Sequence, residues 1–227
     1  MKTTAVVVTY NRLELLKRNI DCLRKNKPVS QIVVVNNGST DGTGKWLAGQ
    51  DDLKVITQDN VGGSGGFYTG IDYAYNDGAD WIWCMDDDVF PRADCLENML
   101  KHADHEGVGI IAPRRLQEGK IFTHDFLSYN LTNPFSSMYK DRISKMVIDR
   151  PIEICGTAFE GPLIRREVVR SIGLPNKDLF IFCDDTDSLR YAMVLEIEGG
   201  NKLEGTYVVQ SAKNAVQGLV EGPAGIH

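Results

Sequence analysis

Residues 81–91 read Trp-Ile-Trp-Cys-Met-Asp-Asp-Asp-Val-Phe-Pro. Five apolar residues run without a break, and three carboxylates follow at once. A short unbroken apolar run marks a strand buried on both faces. Such strands belong to sheets with helices on both sides, where ligands gather beyond the carboxyl ends of the strands. The aspartates stand at that place. Alternate residues of an extended segment point the same way, so Asp86 and Asp88 are expected to converge on one cation. Carboxylates suit Mg²⁺ or Mn²⁺, ions that commonly also hold substrate phosphate. The triplet read alone would serve equally as an acidic turn before the next helix. Its position after a buried aromatic strand favours the metal.

The alternation continues on either side. Residues 4–9, 32–35, 53–57 and 108–112 are short β-branched or apolar runs that predict strands. Residues 13–26 carry Leu13, Leu16, Ile20 and Leu23 at helical spacing, and residues 43–48 predict a short helix. Pro91 suits a helix's first turn, and that helix is predicted to run to about His105. The fold expected is α/β, a mainly parallel twisted sheet with helices on both faces. Later in the chain, residues 165–172 predict a helix, residues 180–183 a strand and residues 186–194 a helix. Between 116 and 154 only short alternating pieces occur, as at 120–123 and 145–148, and hairpins are expected there. The last 30 or so residues show no pattern.

Composition sets the outer limits. With 227 residues, 42% hydrophobic and 25% charged, the chain suits one globular domain. The formal charge of −6 argues against nucleic acid as a partner. It does not exclude an anionic small ligand held by backbone N–H groups, a few cations or a metal. The five cysteines form no CxxC pair, so a structural zinc site is not expected. No stretch reaches the roughly 18–20 apolar residues of a membrane span, and no signal peptide precedes the first strand. The location expected is cytoplasmic, with peripheral membrane association through a partner or an acceptor.

Three further motifs carry chemistry. Asn60-Val61-Gly62-Gly63-Ser64-Gly65-Gly66 could bring backbone close to a phosphate, although read alone it predicts a flexible loop before a helix at 67–75. Asn36-Asn37-Gly38-Ser39-Thr40-Asp41 could hydrogen-bond a base or ribose, or form a turn with a helix cap. Asp184-Asp185 follows an apolar run, where a partly screened carboxylate could take a proton from a hydroxyl or cap a helix.

Taken in order, these segments resemble a family 2 glycosyltransferase of the GT-A fold. The matching stretches are 6–12, 32–43, 60–70, 81–91 and 161–185. Asn-Val-Gly-Gly-Ser-Gly-Gly-Phe at 60–67, Asp-Asp-Asp-Val at 86–89 and Phe-Cys-Asp-Asp at 182–185 are most similar to the galactofuranosyltransferase and rhamnosyltransferase branch. The resemblance implies a donor pocket of Thr9, Tyr10, Arg12, Asn36, Asp41, Asn60, Gly62, Gly63, Asp86 and Asp87, with Mn²⁺ or Mg²⁺ on Asp86 and Asp88. It implies Asp185 as the base of an inverting transfer, with Asp184 near the acceptor. The donor would be a UDP- or dTDP-sugar, the acceptor a glycan or lipid-linked glycan. Residues 1–112 would form the nucleotide-sugar half, 113–195 the acceptor half, and 196–227 an irregular, truncated end of one domain.

Two departures from that branch stand out. The segment Asp184-Asp185-Thr186-Asp187-Ser188-Leu189-Arg190 is one residue short, and Gln210 follows Tyr207-Val208-Val209 where a histidine is usual. They leave room for a domain that binds a nucleotide sugar or glycan without turning it over. A sugar-1-phosphate nucleotidyltransferase ranks lower, because Thr9-Tyr10-Asn11-Arg12 stands where that class has a basic glycine-rich loop.

Overall fold

The computed structural model describes residues 1–105, 107–117, 120–121, 126–129, 139–142, 153–154, 157–179, 193–199 and 204–210. Four parallel strands form one side of its main sheet: β1 (Thr3–Thr9), β2 (Gln31–Asn36), β3 (Leu53–Thr57) and β4 (Trp81–Asp86). Their order is β3-β2-β1-β4. β5 (Val108–Pro113) points the same way but does not touch β4. Between them lies a short antiparallel strand, Leu163–Arg165, which pairs with both. Two minor hairpin pairs, β6 (Leu116–Gln117) with β7 (Lys120–Ile121) and β8 (Phe126–Tyr129) with β9 (Tyr139–Arg142), stand apart from the main sheet. They meet the expectation of hairpins in this stretch. The 145–148 piece lies outside the described residues.

The rest of the sheet is antiparallel. With β10 (Glu153–Ile154), and the inserted strand as β11, β12 (Met193–Gly199) and β13 (Glu204–Gln210) complete the order β10-β12-β13-β5-β11-β4-β1-β2-β3. Two expectations change here. Residues 193 and 194, predicted as the end of a helix, begin β12. The segment after 196, which showed no pattern, supplies β13 as the partner of β5 from Thr206↔Pro113 to Gln210↔Val108. The predicted strand at 180–183 and the rest of the helix at 186–194 lie outside the described residues.

The unbroken apolar strands are explained by two cores, one on each face. Even-numbered residues of β1 and β4 (Val6, Val8, Ile82, Cys84), with Val33 and Val35 of β2, pack against α3 (Gly62–Asn76) and α5 (Arg166–Ile172). Their neighbours Ala5, Val7, Val34, Trp83 and Met85 pack against α1 (Leu13–Leu23) and α4 (Cys95–Leu100). The period-2 alternation of a strand thus serves two helical layers. The small α2 (Thr43–Leu47) adds Leu47 to the second core.

The glycine-rich stretch is not a loop. Gly62–Asn76 is one helix that begins inside the motif. A Cβ on Gly66 would lie 2.5 Å from Val8 Cγ1, and one on Gly70 would lie 2.3 Å from Val6 Cγ1. Residues four apart share a helix face, so the two glycines let α3 lie directly on β1. Their role is close packing, and flexibility is its opposite. The helix predicted from Pro91 is also corrected: α4 covers only Cys95–Leu100. Before it, Arg92 pairs with Asp94; after it, the chain tightens into i→i+3 turns at His102 and Ala103. Among the described residues no helix is long and apolar enough to cross a membrane.

Asp41 joins the two helices of one edge. Its Oδ2 accepts the Leu13 N–H at 3.0 Å at the start of α1, and its Oδ1 accepts the Thr43 hydroxyl at 2.6 Å at the start of α2. The Thr43 hydroxyl, then the backbone N–H groups, hold this carboxyl below its usual range.

Gly70→Ala should destabilise the fold by about 1–3 kcal/mol through overpacking on Val6; a denaturant midpoint equal to wild type would show that α3 does not need the close approach. Asp41→Ala should cost about 1–2 kcal/mol at neutral pH through loss of capping. A lowered folded pKa stabilises above the unfolded value of about 3.9 and is lost as pH falls through the folded one. Melting curves of mutant and wild type should therefore converge in acid.

Candidate functional site

At the carboxyl edge of the parallel strands lies a cavity of about 370 Å³. Pairing sets its geometry. Val8 of β1 stands beside Asp86 of β4, so Thr9 and Asp87 meet one step further on. Thr9 Oγ1 donates to Asp87 Oδ2 at 2.7 Å. Beyond Thr9 the chain turns through Asn11, whose φ of 53° lies in the left-handed region. A short polar side chain tolerates that conformation best. Asn11 is held there by Ser39 Oγ, which accepts its N–H at 3.0 Å, and by its own Oδ1, which accepts the Thr40 N–H at 2.7 Å. The turn delivers Arg12 to the acidic triplet, with Nη1 2.9 Å from Asp88 Oδ2 and 3.4 Å from Asp87 Oδ1.

Electrostatics divides the triplet. Asp87 is buried, and burial pushes its carboxyl up in spite of Thr9 and Arg12. At Arg12 burial acts to lower the guanidinium, but Asp87, Asp88 and Asp86 outweigh it and hold the pKa above its ordinary value. Arg12 is therefore a fixed cation among three acids. Asp86, partly buried, lines the cavity. Asp88 is exposed and ends on Arg12.

The other wall comes from α3 and its approach. Asn37, buried, donates Nδ2 to Asn60 Oδ1 at 3.1 Å and to the Gly62 carbonyl at 2.9 Å. Its Oδ1 accepts from Gln58 Nε2 and the Val61 N–H. One amide so joins the ends of β2 and β3 to the start of α3. Phe67 and Phe159 stack with centroids 4.4 Å apart and line the cavity with Ala158 and Glu160. Glu160 pairs with Arg115.

Of the residues singled out from sequence, Thr9, Tyr10, Arg12, Asn60, Gly62, Gly63, Asp86 and Asp87 line this cavity. Asn36, Asp41 and Asp88 do not; Asp88 stands in the turn beyond β4 with its carboxylate on Arg12. Asn36 is buried with Oδ1 accepting the Ser39 N–H at 3.1 Å, and Asp41 caps two helices. The physical reason is parity. Asn37 continues the Val33–Val35 face towards α3, where the cavity lies, whereas Asn36 continues the Ile32–Val34 face. Asp184 and Asp185 lie outside the described residues. Sequence reasoning missed Asn37, Phe67, Phe159 and Glu160. Asn37 lay within the Asn36–Asp41 motif, but both faces of β2 are buried, so alternation alone does not choose it over Asn36; Phe159 and Glu160 precede a strand only three residues long and left no periodic signal.

Asp86 and Asp88 carry hard oxygens, a donor chemistry that suits Mn²⁺ or Mg²⁺, but β4 ends at Asp86 and residues 87–88 form a turn, so the strand alternation expected to align the two carboxylates does not extend to Asp88. Among the described residues no three His, Cys, Asp or Glu side chains are grouped to hold a metal unaided. Asp86 is the one of the two that lines the cavity, and an ion held there would take its remaining ligands from phosphate and water.

Comparison with known proteins follows this geometry. The galactofuranosyltransferase GlfT1 of Mycobacterium tuberculosis is 29% identical over 213 residues, 90% of this chain and 68% of that protein. The dTDP-rhamnosyl transferase RfbF of Shigella flexneri is 25% identical over 198 residues, 85% of this chain and 65% of that protein. Two solved structures share the fold. S. aureus TarS 1–349 has a TM-score of 0.58 at 16% identity, over 90% of this chain and 60% of that one. The mannosyltransferase PcManGT from Pyrobaculum calidifontis, in complex with GDP-Man and Mn²⁺, has a TM-score of 0.51 at 20% identity. The alignment with it covers 82% of this chain and half of that one. The pattern of glycosyl transferase family 2 matches residues 4–173, most of the sequence, and the chain belongs to that family.

Proposed function

We propose that the chain is an inverting glycosyltransferase that moves a galactofuranose- or rhamnose-type sugar from a nucleoside-diphosphate donor to a glycan hydroxyl. One observation carries the reading: a single cavity at the strand ends gathers Arg12, Asn37, Asn60, Asp86 and the start of α3. A cation, amides and a helix N-terminus together suit a nucleotide diphosphate. The similarity to GlfT1 and RfbF supports the sugar class.

Thr9, Tyr10 and Asn60 would hydrogen-bond the nucleoside, with Asn37 holding Asn60 in place from behind. Gly62 and Gly63 would let the diphosphate approach the first N–H groups of α3. Asp86 and Asp88 would hold Mn²⁺ or Mg²⁺, which supplies charge neutralisation for the leaving diphosphate. Arg12 is poised between the carboxylates and would turn from Asp88 to a phosphate oxygen when the donor binds. The acceptor hydroxyl oxygen attacks the anomeric carbon as the bond to the diphosphate oxygen breaks. Its proton passes to Asp185, with Asp184 beside the acceptor, and the single displacement inverts the centre. The donor would be a UDP- or dTDP-sugar. The acceptor would be a glycan or lipid-linked glycan, met in the cytoplasm at the inner membrane face.

A panel of UDP- and dTDP-sugars with a glycan acceptor should give Mn²⁺-dependent release of nucleoside diphosphate and a lengthened glycan. Pyrophosphate released from a nucleoside triphosphate and a sugar phosphate would instead show a nucleotidyltransferase, and binding without turnover a binding domain. Asp88→Ala should abolish metal-dependent donor binding by calorimetry and leave the melting temperature unchanged. Asp185→Asn should bind donor normally and lose transfer by about 10²–10⁴-fold, the usual weight of a general base; full turnover would remove it as base.

A further inference from the structure

α1 buries Leu16, Ile20 and Leu23 against the sheet, and the same face carries Asn19. Asn19 is 0% exposed. An amide in an apolar contact face is costly unless it is bonded. Its Nδ2 donates to the Val89 carbonyl at 2.6 Å and reaches the Asp86 carbonyl and Met85 Sδ, each at 3.4 Å. Its Oδ1 has no partner among the described residues, so its bonding is all on the donor side. The two carbonyls bracket the acidic triplet. Val89 N–H also closes the turn onto the Asp86 carbonyl at 3.3 Å.

α1 therefore holds the triplet in two places. At its start, Arg12 grips the carboxylates of Asp87 and Asp88 from the surface. Two turns on, about 10 Å along the axis, Asn19 grips the backbone from the core. The first grip is ionic and half-exposed and must loosen when a diphosphate arrives. The second is buried and touches no carboxylate oxygen. We propose that Asn19 is a positioning residue: it fixes the Asp86–Val89 backbone so that the carboxylates can exchange Arg12 for donor and metal without the turn moving. The proposal rests on the reading of Asp86 and Asp88 given above.

Two measurements test it. In Asn19→Leu, with the same branching but without a donor, amide hydrogen exchange of residues 86–89 should rise at least tenfold while that of β1 stays unchanged. Mn²⁺-dependent UDP binding, titrated where the variant is fully folded, should weaken about tenfold. Leu23→Ala, at the far end of the same face, serves as the control: it should lose thermal stability yet keep wild-type UDP affinity. Asn19→Ser, whose hydroxyl is drawn back to a carbonyl of its own helix, removes the clamp with less steric change and should give the same two results. Unchanged exchange at 86–89, or an equal loss of UDP affinity in Leu23→Ala, would overturn the positioning role. If the wild-type chain binds neither UDP nor dTDP with Mn²⁺, the donor reading falls and its consequence with it, while the exchange experiment, which uses no ligand, still decides whether Asn19 clamps the turn.

Discussion

The carboxylate of Asp87 is buried where β1, α1 and β4 meet, and the arrangement of the site depends on how it is kept there. An isolated carboxylate at that depth would cost several kcal/mol. The Thr9 hydroxyl and the Arg12 guanidinium offset that cost from two different elements. Each compensation also fixes geometry. Thr9 locks the end of β1 to the end of β4. Arg12 locks the turn after β1, and hence the start of α1, over the same edge. A strand edge that would otherwise splay into separate loops becomes a rigid rim. Burial still raises Asp87, and Arg12 stands as the cation among all three carboxylates of the triplet.

The opposite wall depends on steric permission, not charge. Gly66 and Gly70 bring α3 onto Val8 and Val6, and those valines belong to the strand that ends at Thr9. The start of α3 is thereby carried to the strand ends with its first N–H groups at the cavity. Asn37 then seals the junction with Asn60 and Gly62. Close packing deep in the first core, at Gly66 and Gly70, and the cavity wall at its rim, at Gly62 and Gly63, are thus supplied by glycines of one helix.

Much of this was legible in the sequence because the parallel strands are strongly patterned. Residues 4–9, 32–35, 53–57 and 81–85 each lie within one residue of the observed strand limits. The triplet's place followed from the strand before it. What was not legible divides by cause. Glycine carries no periodic signal, so Gly62–Gly66 read as a loop although its packing partners are valines some 60 residues earlier. β11 is too short to show alternation, and its antiparallel insertion between β4 and β5 is a long-range event. β13 finds its partner in β5, nearly 100 residues upstream, and nothing local announces that pairing. At the site, the choice between Asn36 and Asn37 needed the facing of β2, which only the position of α3 reveals.

The two holds that α1 places on the acidic turn bear on how such a site can be both stable and exchangeable. An ion pair at a half-exposed rim contributes little to stability, about 0–1 kcal/mol, and is easily traded for a phosphate or a metal. A buried amide bonded to a carbonyl at 2.6 Å is not traded, since nothing soluble reaches it. Were the turn held only by Arg12, drawing that cation to a diphosphate would release the backbone at the moment its carboxylates are needed. Were it held only through the carboxylates of a closed core, no ligand could enter. Assigning carboxylates to the exchangeable contact and carbonyls to the permanent one separates the two demands. The polar Asn19 on an apolar helix face is the sequence-level trace of that separation.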